Sequence, residues 1–85
     1  MSNLTEHINI GKKLAEKLET AEIESFEKLR ALGTENAFIR LKTVDKTACI
    51  NMLYALEGAI QDIRWHNLST ERKQELSLFY EQLGK

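Results

Sequence analysis

The chain has one cysteine, Cys49, and no proline. A single thiol excludes an intrachain disulfide and makes a reducing compartment, the cytoplasm, the expected location. With only two histidines, His7 and His66, it also lacks the closely spaced ligand pairs of a zinc site. No apolar run approaches the roughly 20 residues of a membrane span, and no basic-then-apolar leader opens the chain, so no membrane partner is expected. Valine, isoleucine and threonine nowhere alternate with polar residues for long enough to make strands, which leaves an all-α fold. Charge of one sign is also missing. Twelve Lys and Arg face thirteen Asp and Glu, and residues 1–46 hold eight of each sign. Strong nucleic-acid binders are usually basic overall, so any cationic patch here has to come from local geometry.

Catalytic signatures are absent as well. There is no phosphate loop, dinucleotide fingerprint or nucleophile elbow. Carboxylates are interleaved with lysines as on solvated helix faces, while Glu57 and Asp62 stand in an apolar stretch with no acid–base partner beside them. Cys49 reads as a small buried hydrophobe. No enzymatic activity, cofactor, metal or small-molecule substrate is expected.

The 85 residues that are present, 42% hydrophobic and 29% charged, suit one domain over 1–85 with a thin core. Ser2 or Asn3 is placed to cap a short helix through Leu4 and His7. A second helix runs from about Gly11 to Glu22, with Leu14, Ala15 and Leu18 inward. Ser25 caps a third over Phe26–Leu32, and Gly33 ends it in the left-handed C-terminal position. Thr34 caps a fourth, whose core face is Ala37, Phe38 and Leu41. Asp45 or Thr47 opens the longest helix, about 48–63, apolar around most of its circumference and therefore central and buried. Gly58 inside it costs about 1 kcal/mol against alanine, which implies another backbone passing close by. Trp65 folds down over the core. Ser69 caps the last helix, Thr70 to Leu83, which Gly84 ends. The expected architecture is a compact five-helix domain around helix 48–63.

The stretch Ile8-Asn9-Ile10-Gly11-Lys12-Lys13-Leu14-Ala15-Glu16-Lys17-Leu18, closed by Ile23, carries the one functional signal. It reads as a tight turn running into an amphipathic helix. A helix N-terminus presents unpaired amides and partial positive charge. A glycine there admits a phosphate, and lysines beside it add full charge. This is the phosphate-gripping half of a helix-hairpin-helix, with Asn9 where a first glycine is usual, and asparagine tolerates the left-handed region. Candidate DNA-contacting residues are Asn9, Ile10, Gly11, Lys12, Lys13 and Lys17. The alternative is a plain αα-hairpin in which Gly11 only lets two helices pack closely. A fainter echo, Ile10-Gly11-x-x-x-Ala15 and Leu32-Gly33-x-x-x-Ala37, suggests a second, degenerate hairpin without the lysines.

Asn9-Ile10-Gly11-Lys12-Lys13-Leu14-Ala15, Ala21-Glu22-Ile23 and Leu29-Arg30-Ala31-Leu32-Gly33 resemble the C-terminal domain of the TfoX/Sxy family. Ala37-Phe38, Leu41-Lys42 and above all Asn51-Met52-Leu53-Tyr54-Ala55-Leu56-Glu57-Gly58-Ala59-Ile60, with Trp65 and Leu68, extend the match over about residues 4–80. The resemblance implies a helix-hairpin-helix or SAM-like fold from a bacterial family that regulates natural competence. Family members commonly carry a separate N-terminal domain in front, and this chain starts at the C-terminal one. Two functions follow as expectations: a non-enzymatic module that binds the DNA backbone or regulates DNA uptake or transcription, or a protein-interaction or homodimerisation domain.

Overall fold

Five consecutive residues of one helix, Ala55 through Ala59, are buried. At 100° per residue these five positions go once around the helix axis, so the helix is enclosed on all sides. In the computed structural model, which describes residues 8–83, the element order is α1 (Lys12–Thr20), α2 (Phe26–Leu32), α3 (Thr34–Val44), α4 (Ile50–Gln61), a 3₁₀ turn (Trp65–Asn67) and α5 (Thr70–Leu83). The described residues contain no strand. The enclosed helix is α4, and it packs against α3, α5 and the 3₁₀ turn. The helix expected over Leu4–His7 and the Gly84 terminator lie outside the described residues.

The central place of α4 is as the apolar pattern requires, but its length is not. It has 12 residues against 14 in α5, and it begins at Ile50 instead of Ala48. Asp45 ends α3 instead of opening α4: its carboxylate accepts from the Thr47 amide (3.0 Å) and hydroxyl (2.5 Å), a local turn that competes with helix. The Lys42 ammonium also donates to the Lys46 and Ala48 carbonyls at 3.2 and 2.8 Å, holding the corner.

Both α1 and α4 stop in the same way. The Ile23 amide donates to Leu18 O and the Glu22 amide to Glu19 O; Ile63 and Asp62 repeat the pattern on Gly58 O and Ala59 O. These paired bonds are a Schellman motif, whose turning residue needs positive φ. Glu22 (φ 67°) and Asp62 (φ 61°) occupy it without being glycine, so α1 ends two residues before the expected Glu22.

Ser25 and Ser69 cap α2 and α5 as expected, accepting from the Lys28 and Arg72 amides at 3.2 and 3.1 Å. Gly33 ends α2 and begins α3 in one residue; its φ of 83° favours glycine, although its ψ of 163° is extended, unlike a left-handed helical cap. Thr34 does not cap α3. It is the first helical residue, and its buried hydroxyl donates to Glu57 Oε1 at 2.7 Å. The two glycine frames therefore differ in backbone, since Gly11 has φ −84°.

Phe38, Leu18, Ile23, Leu29, Leu41, Leu53, Leu56 and Leu76 are fully buried at the meeting of all five helices. Each contributes about 1.5–3 kcal/mol by leaving water. Among them stands Glu57, only 7% exposed. Besides Thr34, Gln61 donates to it, and Arg72 Nη2 reaches Glu57 Oε1 at 2.9 Å and Glu35 Oε1 at 3.1 Å. Burial alone pushes the Glu57 carboxyl up; the hydrogen bonds from Arg72, Thr34 and Gln61 outweigh it and hold the group below the usual glutamate value. The same contacts raise Arg72, first through its bond to Glu57. One cation thus ties α3, α4 and α5 together.

Two outcomes follow for stability. A Cβ added at Gly58 would stand 2.8 Å from Ile63 O and 3.1 Å from Trp65 Cα. Gly58→Ala is therefore expected to destabilise by about 1–3 kcal/mol in urea unfolding, although alanine is the better helix former. Arg72→Met leaves Glu57 buried without its cation and should cost about 3–5 kcal/mol. Because the Glu57 pKa is depressed on folding, the wild-type advantage over this variant is full above the ordinary glutamate range. It falls as acid passes through the depressed value, and unfolding curves at stepped pH measure it.

Candidate functional site at the start of α1

The six candidate residues do not form one surface. Ile10 is 4% exposed and belongs to the core. Asn9 has φ 72°, so it makes the left-handed turn expected of it. Its carboxamide, however, is used inside the molecule: Nδ2 donates to Ile63 O at 2.8 Å, and Oδ1 accepts from the Trp65 amide at 3.3 Å. The side chain lies over Gly58 together with the Ile63 and Trp65 backbone, and the glycine admits both. Lys17 pairs with Asp45 at 2.7 Å. That bond, first among several from Lys17 and Thr47, lowers the Asp45 carboxyl from the ordinary 3.8 to about 2.

Gly11, Lys12 and Lys13 are left, all exposed. Gly11 is the N-cap of α1 with φ −84° and ψ 178°, a conformation open to any residue, and an added Cβ there would meet nothing within 4 Å among the described residues. Among the described residues, then, no close packing requires the glycine; the helix expected over Leu4–His7, its partner in a plain hairpin, lies outside them. Its bareness keeps the helix end open. The first intrahelical bond is Ala15 N to Gly11 O, and no side chain among the described residues caps the terminus, so the Lys12, Lys13 and Leu14 amides are without an intrahelical partner. No acidic residue stands in the first turn to oppose an anion. Lys12 and Lys13 make no ion pair among the described residues. The arrangement is chemically suited to an oxyanion with several acceptor oxygens.

The model of the TfoX C-terminal domain matches residues 1–80. The chain belongs to the TfoX C-terminal domain family. This is a regulatory type of domain, not one known for catalysis. No curated protein matches the chain. Among solved structures it is similar to an uncharacterized protein from Listeria monocytogenes in a triclinic form, with TM-score 0.93 and 43% identity over 95% of this chain and 92% of that one. A protein of unknown function from Listeria monocytogenes in a tetragonal form gives TM-score 0.92 and 44% identity over 94% of this chain and 99% of that one. No helix among the described residues of this TfoX C-terminal domain is long and apolar enough to cross a membrane. No group of three or more potential ligands for a metal ion occurs among them.

Two parts of this region escaped the sequence reading. Arg64 is exposed and lies in sequence between Ile63 and Trp65, the residues whose backbone Asn9 holds. The Asn9 bridge itself spans more than fifty residues and leaves no local pattern; its one trace in the sequence is the glycine inside α4.

The ion pair of Lys17 yields a test. In Lys17→Gln the Asp45 carboxyl should titrate above the wild-type value of about 2 while the Thr47 bonds keep it below 3.8, as followed by carbon-detected NMR of the side-chain carboxyls. The sign follows from the lowered pKa. Asp45 supports the fold above its unfolded value, and that support fades as pH falls towards about 2 in the wild type. In the variant the part supplied by Lys17 is missing and the part supplied by Thr47 remains.

Proposed function

We propose that this TfoX C-terminal domain is a non-enzymatic, cytoplasmic regulatory module that holds the phosphate backbone of DNA through the start of α1. The single observation that supports this is Gly11: an exposed N-cap whose lack of a side chain is required neither by its φ nor by any described neighbour. A bare, uncapped helix end with Lys12 and Lys13 beside it suits an anionic ligand that approaches the backbone closely. The amides take phosphate oxygens and the two lysines add charge. Ile10 anchors the turn in the core and Asn9 fixes its direction; neither side chain touches the DNA. Lys17 serves Asp45 instead. Phosphates carry no base information, so binding is sequence-blind and weak, with Kd on the order of 10⁻⁴ to 10⁻⁶ M.

A second reading, association with a protein or with another copy, draws on the exposed Ile39, Val44, Leu78 and Leu83. All four lie on α3 and α5, and none is on the hairpin.

A duplex titration at several salt concentrations separates the two. Two to three phosphates held should give a slope of log affinity against log salt of roughly −2 to −3. Replacing Lys12 and Lys13 together with glutamine should flatten the slope while circular dichroism stays unchanged, because glutamine is nearly as good a helix former as lysine. Binding indifferent to the double substitution, or undetectable at low salt in the wild type, would remove the phosphate site and leave association through α3 and α5 as the better account.

A further inference from the structure

Beside the start of α1 stands a column of three rings that the phosphate reading does not use. Tyr54, from α4, stacks on Trp65 with centroids 5.9 Å apart and planes 17° from parallel. His66 stacks on Trp65 at 4.0 Å and 27°. Tyr54 and Trp65 are half-buried against the core, while His66 is exposed. The column is anchored to the candidate phosphate site by Asn9, which bonds the backbone at Ile63 and Trp65. Gly11 follows Asn9 by two residues, a reach of at most about 7 Å. Two cations belong to the same stretch of chain or bond to it. Arg64 is exposed and forms no ion pair among the described residues, and the Lys73 ammonium donates to the His66 carbonyl at 3.3 Å. Asp62 is the acidic residue nearest in sequence, and it too is exposed.

Three other places give less. The depression of about 270 Å³ lined by Thr20, Glu22, Arg40 and Val44 has no convergent polar set. The Glu57–Arg72 cluster is fully engaged in holding helices. Leu78 and its neighbours on α5 have nothing to indicate what would cover them.

An exposed ring stacked on a half-buried tryptophan, with Lys73 bonded to its backbone carbonyl and Arg64 two residues before it in sequence, suits a ligand that alternates flat rings with negative charges. We propose that the Tyr54–Trp65–His66 column is a stacking platform for an unpaired base, so that the preferred partner is single-stranded DNA. This rests on the phosphate reading above and narrows it. One base extends the column at His66, Arg64 takes a phosphate next to it, and the strand continues to Lys12 and Lys13. A duplex cannot do this, because its bases are stacked on each other and show the protein only their edges.

The test compares a short oligothymidylate with a duplex of the same length, read by anisotropy of labelled DNA and by fluorescence of Trp65, the one tryptophan in the chain. The single strand should bind about tenfold more tightly than the duplex and quench Trp65, because base–aromatic stacking adds to the phosphate contacts. His66→Ala, at an exposed position, should bring single-strand affinity down to the duplex level and leave duplex binding and circular dichroism unchanged. Arg64→Gln should flatten the single-strand salt slope by about 0.7. Equal affinity for the two forms without quenching, or single-strand binding unmoved by His66→Ala, overturns the platform. If duplex binding persists in that case and still responds to Lys12 and Lys13, the phosphate site stands alone. If neither form binds, both proposals fall together.

Discussion

The close return of the chain over Gly58 is the constraint on which the rest of this structure depends. After α4 the backbone reverses through Asp62 in the left-handed region, and Ile63 and Trp65 come back against the helix they have just left. Only a residue without Cβ leaves room for that return. The reversal turns the Ile63 carbonyl and the Trp65 amide toward Asn9, whose carboxamide satisfies both. Buried backbone polar groups need partners, and here one side chain, far away in sequence, supplies both partners. Helix α1 is thereby placed with its open end next to the 3₁₀ turn.

The charged groups divide by the same logic of satisfaction. Glu57 is buried and ionised because Thr34, Gln61 and Arg72 surround it, and a carboxylate without those donors would not stay charged there. Arg72, Lys17, Lys42 and Lys73 are all engaged within the molecule. The cations not so engaged include Lys12, Lys13 and Arg64. In a chain of net charge −1, structural pairing thus leaves only some of the cations unpaired among the described residues.

Local signals were readable from residue order alone. Ser25 and Ser69 cap their helices, Gly33 makes the corner, the continuous apolar pattern puts α4 in the centre, and Asn9 enters the left-handed region. Each depends on a side chain and a backbone within a few residues of each other. Helix ends that compete with other local bonds were misplaced. Asp45 and Thr47 bond to each other in a turn, and Thr34 gives its hydroxyl to a neighbouring helix instead of its own amides.

What the sequence by itself determined was the all-α fold, the central helix, the family, and the motif of glycine followed by two lysines. Periodicity and capping are short-range properties, and the family pattern runs along nearly the whole chain. The tertiary structure alone decided which candidate residues remain available at the site. It assigned Asn9 to Ile63 and Trp65, Lys17 to Asp45 and Ile10 to the core, and it brought the backbone at Ile63 and Trp65 to the turn before α1. Those assignments join residues up to 56 positions apart. No spacing rule reaches that far, because such a contact is set by how helices pack and by which buried polar groups must find a partner.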